Sequence, residues 1–179
     1  QAISGVTTLN TGDGADTINV GSRAPTAGGT ADGITSELEI NGGASSDTLN
    51  VDDSGDSTGD VGSLTSSMID GLFGTDGIIT YATFEDLLID LGTGADTFTI
   101  ESTHAAPTTV STGPGNDIVT ANGNSATLTI NGDANDDTID LNGTGAEVTI
   151  NAGADTDTVN INGVSHTLVV NGQAGTDTI

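Results

Sequence analysis

The sequence is short of several residue types, and each shortage excludes a class of structure or function. The 179 residues contain no Cys and no Trp, aromatics make up 2%, and there is one basic residue against 26 Asp and Glu. Without Cys, neither a disulfide framework nor a thiolate metal site can form. A net charge of −25 argues against nucleic acid or an anionic membrane surface as a partner. No apolar run reaches about 18 residues, so no segment predicts a membrane-spanning helix.

Low hydrophobicity and high net charge are typical of disorder, but here the apolar residues follow a strict repeat. Seven turns rich in Gly and Asn each end in an Asp, and these Asp residues are 31, 49, 21, 20, 20 and 20 positions apart. The turn residues are Asp16, Asp47, Asp96, Asp117, Asp137, Asp157 and Asp177. The basic period is therefore 20 residues, with extra chain in the first half.

Apolar residues stand at fixed distances from each turn Asp. The positions two and four after it, and seven and nine before it, are apolar in almost every repeat. The row two after the Asp comprises Ile18, Leu49, Phe98, Val119, Ile139, Val159 and Ile179. A spacing of two is that of a β-strand, and β-branched residues favour strands. Thr, Gly and Asn, which are weak helix formers, dominate the remaining positions.

One repeat cannot bury its own apolar face, whereas stacked repeats can bury theirs against each other. The pattern therefore predicts an all-β fold, a parallel β-solenoid of the β-helix or β-roll type, with about nine coils of about 20 residues. Two insertions interrupt the period, Gly21–Ser36 and Asp52–Asp86. We expect a loop in the first, and one or two irregular coils with an acidic loop in the second. Residues 1–179 are expected to form one domain and one unit of a longer array.

Stacking is expected to place the turn Asp residues of all repeats in a single column, about 5 Å apart. At an effective dielectric of 20, two such charges repel by about 3 kcal/mol. A hard, multivalent cation between them would remove this repulsion, and carboxylates with turn carbonyls are ligands that Ca²⁺ prefers. We therefore expect calcium along this edge, with Asp137 and Asp157 among its ligands.

A second group of acids lies in the longer insertion. A separate calcium loop is predicted there, formed by Asp52, Asp53, Asp56 and Asp60. For every acid in a Gly-rich turn there is an alternative, in which the carboxylate accepts hydrogen bonds from nearby backbone N–H groups. The sequence leaves both interpretations open.

Three of the seven turns are short and have the form Gly-x-Gly-x-Asp-x-Φ, where Φ is apolar. They are Gly12–Ile18, Gly92–Phe98 and Gly113–Val119. The motif resembles the repeats-in-toxin nonapeptide, whose family forms parallel β-rolls that bind Ca²⁺ in secreted bacterial proteins. The resemblance implies calcium ligands among Gly12, Gly14, Asp16, Gly92, Gly94, Asp96, Gly113, Gly115 and Asp117. The period of 20 differs from the family's nine, and the four longer turns have Asn and Ala where the motif has Gly.

The whole chain also resembles repeat units of very large bacterial surface proteins. The expected function is a structural building block of an extracellular, calcium-stabilised filament or giant adhesin at the cell surface. Copies would join head to tail. If a second copy followed Ile179 directly, its Asp16 would lie 18 residues after Asp177 of the first copy, two residues to Ile179 and 16 more, which is close to the period of 20. Surplus calcium would bridge the acidic faces of neighbouring fibres. Neither nucleic acid nor direct membrane insertion is expected.

Two other functions are left open by the sequence. An ice-binding solenoid needs a regular Thr row, and the position after each turn Asp holds Thr17, Thr48, Thr97, Ile118, Thr138, Thr158 and Thr178. A polysaccharide-active β-helix enzyme needs a strong base or a distinctive carboxylate pair. One Arg and two separated His residues supply little of this chemistry, so no enzymatic activity is expected.

Overall fold

The computed structural model describes residues 2–179, and these residues form sixteen β-strands and no helix. None of them therefore belongs to a helix that could cross a membrane. Gln1, the residue predicted to follow Ile179 of a preceding copy, lies outside the described residues. The strands are β1 Thr7–Asn10, β2 Thr17–Val20, β3 Glu37–Asn41, β4 Thr48–Asp52, β5 Val61–Leu64, β6 Met68–Asp70, β7 Ile78–Ala82, β8 Asp86–Asp90, β9 Thr97–Ile100, β10 Thr108–Ser111, β11 Ile118–Ala121, β12 Leu128–Asn131, β13 Thr138–Leu141, β14 Val148–Asp155, β15 Thr158–Ile161 and β16 Leu168–Gly175.

The strands form two sheets, between which the chain alternates everywhere except at β5, β6 and β7. The first sheet has nine strands in the order β1-β3-β7-β6-β5-β9-β11-β13-β15, and the second has seven in the order β16-β14-β12-β10-β8-β4-β2. Neighbouring strands are parallel and come from successive windings, except at the two pairings that involve β6. The predicted all-β parallel solenoid is therefore confirmed.

The apolar rows read from the sequence form the core between the two sheets. Ile130 pairs with Val110 on one side and Ile150 on the other, and all three are buried. In the opposite sheet Val119 stands beside Phe98 in the same way. Because side chains alternate across a strand, every second residue of a four-residue strand reaches this core. Each fully buried side chain of this size contributes about 1.5–3 kcal/mol.

The form of the longer insertion differs from expectation. Among the described residues one sheet has nine strands and the other seven, so the number of about nine coils stays a prediction. Residues 21–36 are a loop, as predicted. Residues 61–82 are not irregular coils but an antiparallel meander, in which β6 pairs with both β5 and β7.

The meander changes the edge at which the turn Asp residues lie. All three of its strands belong to the first sheet, so the repeat resumes half a winding out of phase. Before the meander, the turn Asp stands where the chain crosses from the first sheet to the second, as in β1 to β2. After it, the crossing is from the second sheet to the first, as in β8 to β9. The single acidic column predicted from the sequence is therefore wrong, and two columns stand at opposite edges.

Candidate metal centre

The longer acidic column joins successive windings through hydrogen bonds from backbone to side chain. We call this column the long ladder; it consists of Asp60, Asp96, Asp117, Asp137, Asp157 and Asp177. The backbone N–H of each residue donates to Oδ1 of the next, for example Asp96 to Asp117 at 2.7 Å and Asp117 to Asp137 at 2.8 Å. One oxygen of each accepting carboxyl therefore satisfies a turn N–H that has no partner within the strands.

The shorter column stands at the opposite edge and works in the same way. The N–H of Asp16 donates to Oδ1 of Asp47 at 2.8 Å, and the N–H of Asp47 donates to Oε2 of Glu85 at 2.7 Å. We call these three residues the short ladder. The sequence did not predict Glu85, because it follows the meander and lacks the Gly-rich turn motif. For both ladders the alternative interpretation, backbone capping, accounts for one carboxylate oxygen.

The glycines of the short turns are explained by close stacking of the turns. A Cβ on Gly115 would overlap the carbonyl oxygen of Gly94, and one on Gly94 would overlap that of Thr58. Gly113 combines a φ of 82° with an equally close approach to Gly92. Gly12 and Gly14, in the first winding, are needed for their φ values of 95° and 118°, which disfavour a side chain. These constraints hold whether or not a cation binds.

Several of the second carboxylate oxygens of the long ladder are buried without hydrogen-bond partners, and these carboxyl groups have raised pKa values. Asp117, Asp137 and Asp157 are 2%, 3% and 1% exposed, and Oδ2 of each has no hydrogen-bond partner. Burial raises the pKa of Asp137 to about 8, helped by the charges of neighbouring ladder acids and opposed by the hydrogen bond from Asp117. Burial likewise raises the pKa of Asp117 to about 6. The ionised form of these groups is therefore disfavoured, and a proton or a cation beside the free oxygens would stabilise them.

The only group of three or more acids with converging ligand atoms among residues 2–179 lies at the head of the long ladder. One carboxylate oxygen from each of Asp53, Asp56 and Asp60 lies within 4.8 Å of the others. All three belong to the loop between β4 and β5, and Asp60 is also the first residue of the ladder. We call these residues the acidic triad.

The three carboxyl groups of the triad have different environments. Asp53 is fully buried; its Oδ1 accepts the Ala31 N–H at 2.6 Å and its Oδ2 has no partner. Burial raises the pKa of Asp53 to about 7, with the charges of Asp60 and Asp56 adding to the effect. Burial, then the charge of Asp56, also raises the pKa of Asp60, opposed by a hydrogen bond with the Asp53 carboxyl group. No backbone N–H or hydroxyl group donates to its buried Oδ2.

Asp56 differs from its two neighbours in the triad. Burial acts to raise its pKa, but hydrogen bonds from Thr58 and Ser57 outweigh it and lower the pKa. Asp56 therefore stays ionised at neutral pH, beside two carboxyl groups whose charge is disfavoured. One permanently ionised carboxylate next to two unpartnered oxygens is an oxygen-only donor set, of the kind that hard cations prefer.

Asp52, predicted as a fourth ligand, does not join this triad. Its Oδ2 accepts the Gly29 N–H at 2.9 Å, and its Oδ1 accepts hydrogen bonds from the N–H and hydroxyl of Ser54. Burial acts to raise the pKa of Asp52, but these hydrogen bonds together lower it. The residue therefore anchors the loop of residues 21–36 to the solenoid.

Two further rows bear on function. Asn side chains form ladders that were not predicted, for example Asn171 to Asn151 and Asn151 to Asn131, each with Nδ2 donating to Oδ1 at 2.8 Å. Identical residues at the 20-residue period were the available signal. The predicted Thr row, in contrast, is divided, because Thr17 and Thr48 lie in the second sheet and the later members in the first. It is therefore not one continuous array.

Comparisons with protein-family models, curated proteins and solved structures give no match to this chain. The resemblance to repeats-in-toxin sequences thus rests on the three short turns.

Proposed function

We propose that this chain is a structural building block of an extracellular, calcium-stabilised filament or giant adhesin at a cell surface. The observation that carries the proposal is the long ladder, which stacks buried carboxyl groups with unpartnered oxygens in a chain of net charge −25. Such a column is unfavourable when ionised. Its formation therefore depends on neutralisation of the acidic edge.

Calcium is the neutralising ion that best fits the chemistry of the chain. The chain offers carboxylate and turn carbonyl oxygens as ligands and has no Cys. These oxygen donors suit Ca²⁺. In calcium-poor cytoplasm, repulsion would keep the chain unfolded and ready for export. Outside the cell, calcium binding would supply folding free energy. Additional calcium would bridge the acidic faces of neighbouring fibres.

Both ends of the described solenoid support growth by addition of further windings. At one end all four residues of β1 are exposed, and an open apolar cavity of about 400 Å³ is lined by residues such as Ile3, Leu9 and Val20. At the other end Val169 and Ile179 are exposed. Unpaired edge strands beside apolar surface favour pairing with another winding. Head-to-tail contacts between copies are heterologous and generate a fibre.

Circular dichroism at neutral pH tests the calcium-dependent part of the proposal. We expect a β-sheet spectrum in about 1 mM calcium, the upper range for extracellular calcium modules, and loss of that spectrum in excess chelator. An unchanged spectrum in chelator would contradict the switch. Light scattering and electron microscopy in calcium test the filament, and a monodisperse monomer would contradict it.

A further inference from the structure

We infer that Asp53, Asp56 and Asp60 form one discrete calcium site, which clamps the loop of residues 21–36 to the head of the long ladder. This inference takes from the proposed function only the identity of the cation. The site is separate from the short-turn motif, since none of its three acids belongs to a Gly-x-Gly-x-Asp turn.

The spacing of the three carboxylates suits a shared ion. Oxygens that bind one Ca²⁺ at 2.3–2.6 Å are at most about 5 Å apart. One oxygen from each of the three acids lies within 4.8 Å of the others, so all three can reach one ion. Backbone carbonyls and water supply the remaining ligands of a six- to eight-coordinate calcium.

Unpartnered oxygens provide the independent reason to place an ion there. Asp53 is 0% exposed, and its Oδ2 has no hydrogen-bond partner. Oδ2 of Asp60 is buried and unpartnered as well. Buried polar atoms in folded proteins almost always have a partner, and an isolated buried carboxylate is strongly disfavoured. A cation between these oxygens would satisfy both of them at once.

The surroundings of the triad indicate what the ion would hold together. Oδ1 of Asp53 accepts the Ala31 N–H, and the Gly55 N–H donates to the Gly29 carbonyl at 2.8 Å, so the acidic loop lies against residues 21–36. Asp60 donates its N–H to Asp96 in the ladder at 2.7 Å. One ion would therefore couple the loop to the ladder. This junction directly precedes the meander, where the repeat changes edge.

Calcium titration of the full chain by isothermal calorimetry tests the site, with Asp53→Asn as the variant. Asn keeps the oxygen that accepts the Ala31 N–H but replaces the free carboxylate oxygen with an amide, so the fold is preserved. Asp155→Asn is the matched control, because it removes the same charge from an exposed residue whose φ of 84° Asn also tolerates.

We expect one tight calcium site in the wild-type chain and in Asp155→Asn. In Asp53→Asn the calcium affinity of this site should fall at least about 10-fold, as for loss of one ligand or its orienting partner. In calcium, hydrogen exchange of residues 21–36 should be slower in the first two proteins than in Asp53→Asn. Equal calcium affinity and equal protection in Asp53→Asn would overturn the site. Magnesium binding as tight as calcium would overturn the choice of ion.

The outcomes separate this inference from the proposed function. If the site is wrong but the function is right, Asp53→Asn still folds on calcium addition with wild-type affinity. If the function is wrong but the site is right, the chain keeps its β-sheet spectrum in chelator and remains monomeric. Calorimetry then still detects one calcium site that the substitution weakens.

Discussion

Replacing a ladder carboxyl by its neutral amide should stabilise the protein when calcium is absent. In Asp137→Asn, the amide oxygen can still accept the Asp117 N–H that Oδ1 of Asp137 accepts at 2.8 Å. The substitution removes a carboxyl group that is 3% exposed and that has an unpartnered second oxygen. The usual expectation for loss of a buried charge, destabilisation, is therefore reversed at this position.

The size of the effect follows from the pKa of Asp137, which burial raises from 3.8 to about 8. The folded state holds a proton that the unfolded state has lost, so stability falls as pH rises from about 3.8 towards about 8. At about pH 7 the resulting loss of folding stability is roughly 4 kcal/mol, compared with the stability at acidic pH. Hydration at the edge of the solenoid reduces this penalty, so we expect the free energy of unfolding to rise by about 2 kcal/mol in Asp137→Asn.

Urea unfolding in chelator at about pH 6 measures this gain, because partial protonation of the ladder stabilises the folded wild type there. With a slope of about 2 kcal/mol per molar urea, the midpoint of Asp137→Asn should rise by about 0.7 M at that pH and should match the wild type at about pH 4. Asp136→Asn, the neighbouring exposed acid, is the control and should change stability by less than about 0.5 kcal/mol. A lower midpoint for Asp137→Asn than for the wild type at about pH 6 would show that the buried carboxyl group does not destabilise the fold.

Three further results are expected. In chelator the wild-type chain should become more stable as pH falls from about 8 to about 4, because the raised pKa values of Asp53, about 7, and Asp117, about 6, act in the same direction; a loss of stability on acidification would contradict this. Gly115→Ala should lower the free energy of unfolding by about 2–3 kcal/mol, measured as a lower melting temperature, because its Cβ would overlap the Gly94 carbonyl. Gly123→Ala, whose Cβ would lie 3.9 Å from the nearest atom, should leave the melting temperature unchanged. Asn151→Ala, which interrupts an Asn ladder on both sides, should lose about 1–2 kcal/mol in chemical unfolding, and equal stability would show that the ladder contributes nothing.

The sequence predicted the solenoid well because its apolar rows depend on local periodicity alone. Ile130 lies 20 residues from both Val110 and Ile150, and these residues stack in the structure as the period requires. The change of edge was not predictable in this way. A period gives the positions of the turns along the chain, but not how many strands of the 49-residue interval between Asp47 and Asp96 enter the same sheet.

The candidate site was predicted in part for a related reason. The density of acids in the second insertion indicated Asp53, Asp56 and Asp60, which the structure brings together. Asp52 was included because it is adjacent in sequence, yet its partner Gly29 is supplied by a loop that only the tertiary fold places beside it. The Gly-x-Gly turns were ambiguous for a physical reason, since close stacking of turns demands Gly as strongly as a calcium ligand does.

If calcium neutralises the acidic edge at neutral pH, as we propose, the melting temperature of the chain should depend on calcium concentration. At neutral pH, binding to the folded state alone stabilises it by about 2.7 kcal/mol when calcium is 100 times its dissociation constant. We predict a melting temperature that rises steadily with the logarithm of calcium concentration and falls again on chelation. A melting temperature that is the same in chelator and in about 10 mM calcium, a concentration well above the dissociation constants of the weakest extracellular modules, would show that calcium does not stabilise the fold.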